Sequence, residues 1–163
     1  MPKPRPQGVN LMPIRPPKNS DELHQAFTAW LMDGGDDSRA VQARRTGEFL
    51  AQPWPDDIVQ LLDAQKTLAS LLAWVNAQLA DAAEFTKMAD ALYSRDVLTD
   101  PKISRLGQAH ANRELAMQTA PYHRALKALE RLSATATHQL DGIRTQISAL
   151  RELAKLDGSP AKG

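Results

Sequence analysis

Along most of this chain apolar residues recur at spacings of three and four, the period of an α-helix rather than a strand. Leu23, Phe27, Trp30 and Leu31 make one face of a first helix. Asn19 with Glu22 three residues on marks its start as a capping-box-like pair, or Ser20 caps instead. Gly34 and Gly35 stop it. Asp36, Asp37 or Ser38 can then cap a second helix over about 39–51, with Val41, Phe49 and Leu50 as its apolar positions. Two short helices across a Gly turn predict a helical hairpin, with helix-turn-helix as one form of it. Pro53-Trp54-Pro55 reads as a rigid elbow, because a residue before proline is pushed out of the α region. Trp54 is expected to plug the junction between head and stalk.

A long helix starts at Pro55 or Asp56, with Asp56 and Asp57 favoured by the helix dipole. Its stripe is Ile58, Leu61/Leu62, Leu68, Leu71/Leu72, Val75, Leu79, Ala82/Ala83, Met88 and Leu92. About 40 residues of helix span roughly 60 Å at 1.5 Å per residue. Such a helix needs partner helices to bury its stripe. Thr99-Asp100-Pro101 is the next break, a capping acid before proline at the first helical position. Ile103, Leu106, Leu115 and Met117 continue on a helix rich in small residues, namely Gly107, Ala109, Ala111 and Ala116. Pro121 kinks this helix or restarts it. From Tyr122 the stripe runs through Leu126, Leu129, Leu132, Ala136, Leu140, Ile143, Ile147, Leu150, Leu153 and Leu156. That alternation resembles coiled-coil packing, although Ala136 and the His138–Gln139 step spoil a clean heptad.

Four segments follow: an extended Pro-rich basic arm over 1–18, a small helical head over 19–52, a long helical hairpin over 53–156, and a tail over 157–163. The arm alternates prolines with Lys3, Arg5, Arg15 and Lys18 and has no acid, so an extended, polyproline-like course is expected. Composition supports an all-α fold: 42% of residues are hydrophobic but 5% aromatic, with helix formers dominant. With no cysteine there is no disulfide framework or thiolate chemistry, and a cytoplasmic location is expected. The sequence shows neither a signal-peptide pattern nor a membrane span.

Charge then changes the picture. Residues 56–100 hold eight acids against three bases, and residues 101–163 hold ten bases against five acids. The two long segments can therefore match charge at the rim while burying apolar faces against each other and against neighbouring copies. The residues expected at that oligomerising seam are Leu61, Leu68, Leu72, Val75 and Leu79 on one segment. Leu129, Leu132, Leu140, Ile143, Ile147 and Leu150 face them on the other. The net charge is +1, so nucleic-acid binding has to come from a local patch. Arg39, Arg44 and Arg45 on the second helix, with Lys3, Arg5, Arg15 and Lys18 of the arm, are the candidates for phosphate contact.

Catalytic constellations are scarce. His24, His110, His123 and His138 are scattered, and none forms H-x-x-x-H or H-E-x-x-H. His110 and Glu114 stand four apart on a helix, a spacing that a surface hydrogen bond explains. There is no Gly-rich phosphate loop and no G-x-S-x-G, and the paired acids sit at helix starts where capping accounts for them. No enzyme, no cofactor and no metal is expected.

The organisation resembles a small terminase subunit of tailed bacteriophages. The likeness rests on a short Arg-bearing helical head, a W-P elbow into a long helix, and a hairpin body. It is carried by Phe49-Leu-Ala-Gln-Pro-Trp-Pro-Asp-Asp-Ile-Val-Gln-Leu-Leu-Asp and by Ala-Leu-Lys-Ala-Leu-Glu-Arg-Leu at 125–132, within residues 20–155. It implies a ring of many copies that recognises double-stranded viral DNA and regulates the large motor subunit in the host-cell cytoplasm, without a membrane. This chain departs from that pattern in its short head, which lacks a third helix, and in a second helix that is only modestly basic. Two other readings stand beside it. One is a structural or adaptor coiled-coil protein of a phage or secretion system without DNA binding, the other an oligomeric helix-turn-helix regulator.

Overall fold

The computed structural model describes residues 15–157. Lys3 and Arg5, much of the arm and the tail beyond 157 lie outside the described residues. The described residues are all-α: α1 (Ser20–Met32), a 3-10 turn (Gly35–Asp37), α2 (Arg39–Leu50), α3 (Ile58–Thr99), α4 (Pro101–Ser104) and α5 (Gln108–Asp157). None of these helices is long and apolar enough to cross a membrane.

The boundaries follow local chemistry. Asn19 caps α1, its carboxamide oxygen accepting from the Glu22 N–H at 2.8 Å. Glu22 does not return the bond to Asn19; its carboxylate accepts from the Lys18 N–H at 2.9 Å. Gly34 takes φ 96°, a left-handed conformation suited to glycine, and ends the first helix. The long helix α3 begins at Ile58, later than Pro55 or Asp56. The reason is that Asp57 caps it, its Oδ1 accepting from both Val59 and Gln60 at 3.0 Å. Asp100 caps α4 through the Lys102 N–H at 2.7 Å, with Pro101 at the first position.

Two expectations about the second long segment need correction. Ile103, Leu106, Leu115 and Met117 do not share a helix: α4 ends after four residues, and Gly107 turns the chain at φ 87° before α5 starts at Gln108. Leu106 and Met117 are exposed. Pro121 neither restarts nor ends the helix, since α5 runs through it from Gln108 to Asp157. The missing N–H deprives the Met117 carbonyl of its usual donor, but that turn faces solvent. Thr119 and Tyr122, buried on either side of the proline, hold the helix against its neighbours.

The helices contribute to two compact units, one of residues up to Gln42 with Ala80–Leu126, the other of Ala43–Leu79 with Lys127 onward. In the first, α1 lays Leu23, Phe27 and Trp30 onto the later part of α3 and the earlier part of α5, all three buried. Phe27 is the hub, 4.5 Å from Tyr122, 5.5 Å from Phe85 and 5.8 Å from Trp30 between ring centroids. Each such aromatic pair adds about 0.5–1.5 kcal/mol beyond the area buried. In the second unit, Leu50, Leu61, Leu68, Ala136, Leu140, Ile143 and Ile147 form the core, with Phe49, Trp54, Leu62 and Leu132 packed on it. Trp54 is half-buried there and meets Phe49 edge-on at 5.9 Å.

Candidate functional site

The arginines of α2 do not share one environment. Arg39 lies over the Trp30 ring, 5.5 Å from its centroid, and donates to the Trp30 carbonyl at 2.9 Å. Trp30 in turn donates its indole N–H to Asp81 at 3.2 Å. Arg39, Trp30 and Asp81 thus chain α2, α1 and α3 together in the first unit, and the guanidinium is partly withdrawn from solvent. Asp81 is one of the eight acids of residues 56–100, and no spacing signal links it to Trp30, 51 residues earlier.

Arg44 and Arg45 belong to the second unit and are exposed. The opposite side of the same helix is seated. Thr46 and Leu50 are buried, and Gly47 would bring an added Cβ to 3.7 Å from a Leu132 methyl. The last carbonyl of α2, on Leu50, accepts from the Gln139 side chain at 2.6 Å. Gln139 belongs to the His138–Gln139 step that interrupts the heptad of α5, and its amide is spent closing the end of another helix. Arg44 pairs with Glu48 at 3.7 Å, the two side chains 71% and 67% exposed. An ion pair this open is worth no more than about 1 kcal/mol and exchanges readily for a phosphate contact. Arg15 and Lys18 are exposed in the first unit, where the Lys18 carbonyl accepts from Arg95 at 3.3 Å.

The seam residues are largely occupied within one chain. Leu61, Leu68, Val75, Leu129, Leu140, Ile143 and Ile147 are buried, and Leu72, Leu79, Leu132 and Leu150 are partly so. Leu153 and Leu156 leave the stripe, because successive steps of three rotate them off the face set by Ile143 and Ile147; they are 57% and 73% exposed.

The two long helices are joined at His123 Nε2 and an Asp90 carboxylate oxygen, 2.9 Å apart in the first unit, an ion pair only when the imidazole is protonated. Other pairs are local, as in Lys66–Asp63, Arg144–Asp141 and Lys155–Glu152. In the second unit the corresponding link is neutral, Ser133 donating to Asn76 at 2.7 Å. Tyr122 is buried beside Tyr93, ring centroids 6.0 Å apart. Burial, reinforced by the neighbouring phenol, pushes its pKa above the ordinary tyrosine value. Among the described residues no three His, Asp or Glu side chains gather as a metal site. Comparison with known proteins finds no matching family model, curated protein or solved structure.

Proposed function

We propose that this chain is a non-enzymatic assembly protein that works as a homo-oligomer and contacts double-stranded DNA, in the manner of a small terminase subunit. The observation that carries the reading is the two-sidedness of α2. One face is fastened by Leu50, Thr46 and the Gln139 cap, while the other offers Arg44 and Arg45 to solvent. A helix fixed at its back and basic at its front suits phosphate contact. With a net charge of +1, one copy attracts DNA weakly, so the affinity must come from several copies. In this reading the oligomer recognises viral DNA and regulates a large motor subunit in the host cytoplasm.

Because the expected seam is largely filled within the chain, contacts between copies must draw on apolar residues still exposed, such as Val59, Leu153 and Leu156. A structural adaptor without DNA binding is the second reading. It is favoured by Arg39, which is committed to Trp30, and by Glu48, which competes for Arg44.

Light scattering combined with an anisotropy titration on duplex DNA at low salt tests the proposal. The protein should be multimeric, and its DNA affinity should fall steeply as salt rises, because each neutralised phosphate releases a counterion. Changing Arg44 and Arg45 together to Ala should weaken binding and leave the mass unchanged. A multimer with no DNA affinity at low salt leaves the adaptor reading in place. A protein that stays monomeric at micromolar concentration overturns both.

A further inference from the structure

The first unit carries an open groove of about 430 Å³ lined by Asp21, His24 and Gln25 of α1, Tyr93 of α3, and Gln118 and Pro121 of α5. The DNA reading uses none of these residues. Their polar ends include one carboxylate and several groups that can accept as well as donate. Asp21 presents a carboxylate, and Gln118 donates its side-chain N–H to Glu114 at 2.8 Å, which leaves the Gln118 carbonyl oxygen to accept from elsewhere. Tyr93 contributes an aromatic ring that is partly exposed. His24 adds its ring nitrogens, and the Gln25 amide can turn either end inward.

A carboxylate, an amide oxygen and an aromatic face around one groove are what a guanidinium group matches. It brings five N–H donors and no acceptor, it pairs with carboxylate in a fixed fork, and its plane stacks on phenol rings. An anion would face Asp21, and an apolar ligand would strip water from the polar groups around it without replacing their hydrogen bonds. We propose that this groove binds a guanidinium group, with Asp21 as the charge partner, Gln118 as the second acceptor and Tyr93 as the stacking surface. The group comes either from an arginine side chain of another polypeptide or from a small guanidino compound. The site stands independently of the DNA reading, since it lies in the first unit and none of its residues is an arginine of α2.

Saturation-transfer NMR on the full chain tests it, because the signal is read on the ligand whatever the size of the assembly. N-acetyl-arginine-N-methylamide should receive saturation on the methylenes next to its guanidinium. The citrulline counterpart, with the same shape and no charge, should receive several-fold less. Asp21→Asn should weaken arginine binding about tenfold, the worth of one charge-assisted hydrogen bond. Asp21 is exposed on α1, so circular dichroism should show the variant folded. Gln118→Leu should weaken binding independently. Agmatine, which carries the guanidinium without peptide groups, separates the sources: equal binding points to a small compound, weaker binding to an arginine residue in a chain. Equal saturation of arginine and citrulline, or unchanged arginine binding in folded Asp21→Asn, overturns the proposal.

Discussion

Gln139 shows how a single polar residue can be spent inside an apolar pattern. Its side chain closes the carbonyl end of α2 at Leu50 from 89 positions away. Replacing it with Ala leaves that carbonyl unsatisfied in a part-buried setting, which costs about 1–3 kcal/mol. Urea titration should show the loss as a lower midpoint with an unchanged slope. Tyr122 makes a different prediction. Its folded-state pKa is raised by burial and by Tyr93, so the folded chain keeps a proton that the unfolded chain releases. Its contribution to stability is complete below the ordinary tyrosine value of about 10 and is lost as pH rises beyond it. Melting curves from pH 8 to 11 should fall less steeply for Tyr122→Phe than for the parent chain. An equal fall in both would show that Tyr122 is not responsible.

At the level of elements, several helix starts and stops were legible because they rest on local chemistry. Asn19, Asp100 with Pro101, and Gly34 act where their side chains or φ preferences say they should. The sequence was less informative where tertiary contacts override a local rule. Pro121 allows either a kink or a restart by its sequence, and buried neighbours on both sides carry α5 through it without a restart. Gly107, in contrast, was read as a small helical residue and is a turn, because nothing in its spacing revealed the positive φ it adopts. The two kinds of glycine predict opposite outcomes. Gly142 lies inside α5 with nothing within 4 Å of an added Cβ, so Gly142→Ala should stabilise the chain by about 0.5–1 kcal/mol. Gly107→Ala forces a side chain into φ 87° and should destabilise it by about 1–2 kcal/mol. Paired thermal melts decide both, and two shifts of the same sign would contradict the assignment.

For the whole molecule, the all-α class followed directly from period and composition. The candidate site was legible only in part. The exposure of Arg44 and Arg45 fits their place off the apolar stripe, whereas the commitment of Arg39 to Trp30 depends on a fold that brings α1 beside α2. The acidic and basic halves are also less directly joined than their charges suggest. His123–Asp90 links them with both side chains near half exposed, 44% and 50%, and such a pair is worth no more than about 1 kcal/mol. Raising salt to 1 M shortens the screening length to about 3 Å and should move the denaturation midpoint only slightly. A collapse of stability in salt would mean that charge outweighs apolar burial.

The order in which the chain visits its two units bears on how it folds. It passes from the first to the second, back to the first and again to the second, crossing at 42/43, 79/80 and 126/127. Neither core can close from neighbouring stretches. Phe27 waits for Tyr122, and Leu50 waits for Gln139 and Ile143. During synthesis at about 5–20 residues per second, the Phe27–Trp30 face of α1 stays incompletely covered for several seconds after it has emerged. Helical proteins fold fast when their contacts are local in sequence; this one is expected to refold more slowly than its helix content suggests. A chain stopped before residue 122 has Phe85 to set against Phe27 and Trp30 but lacks the Tyr122 ring that completes the cluster.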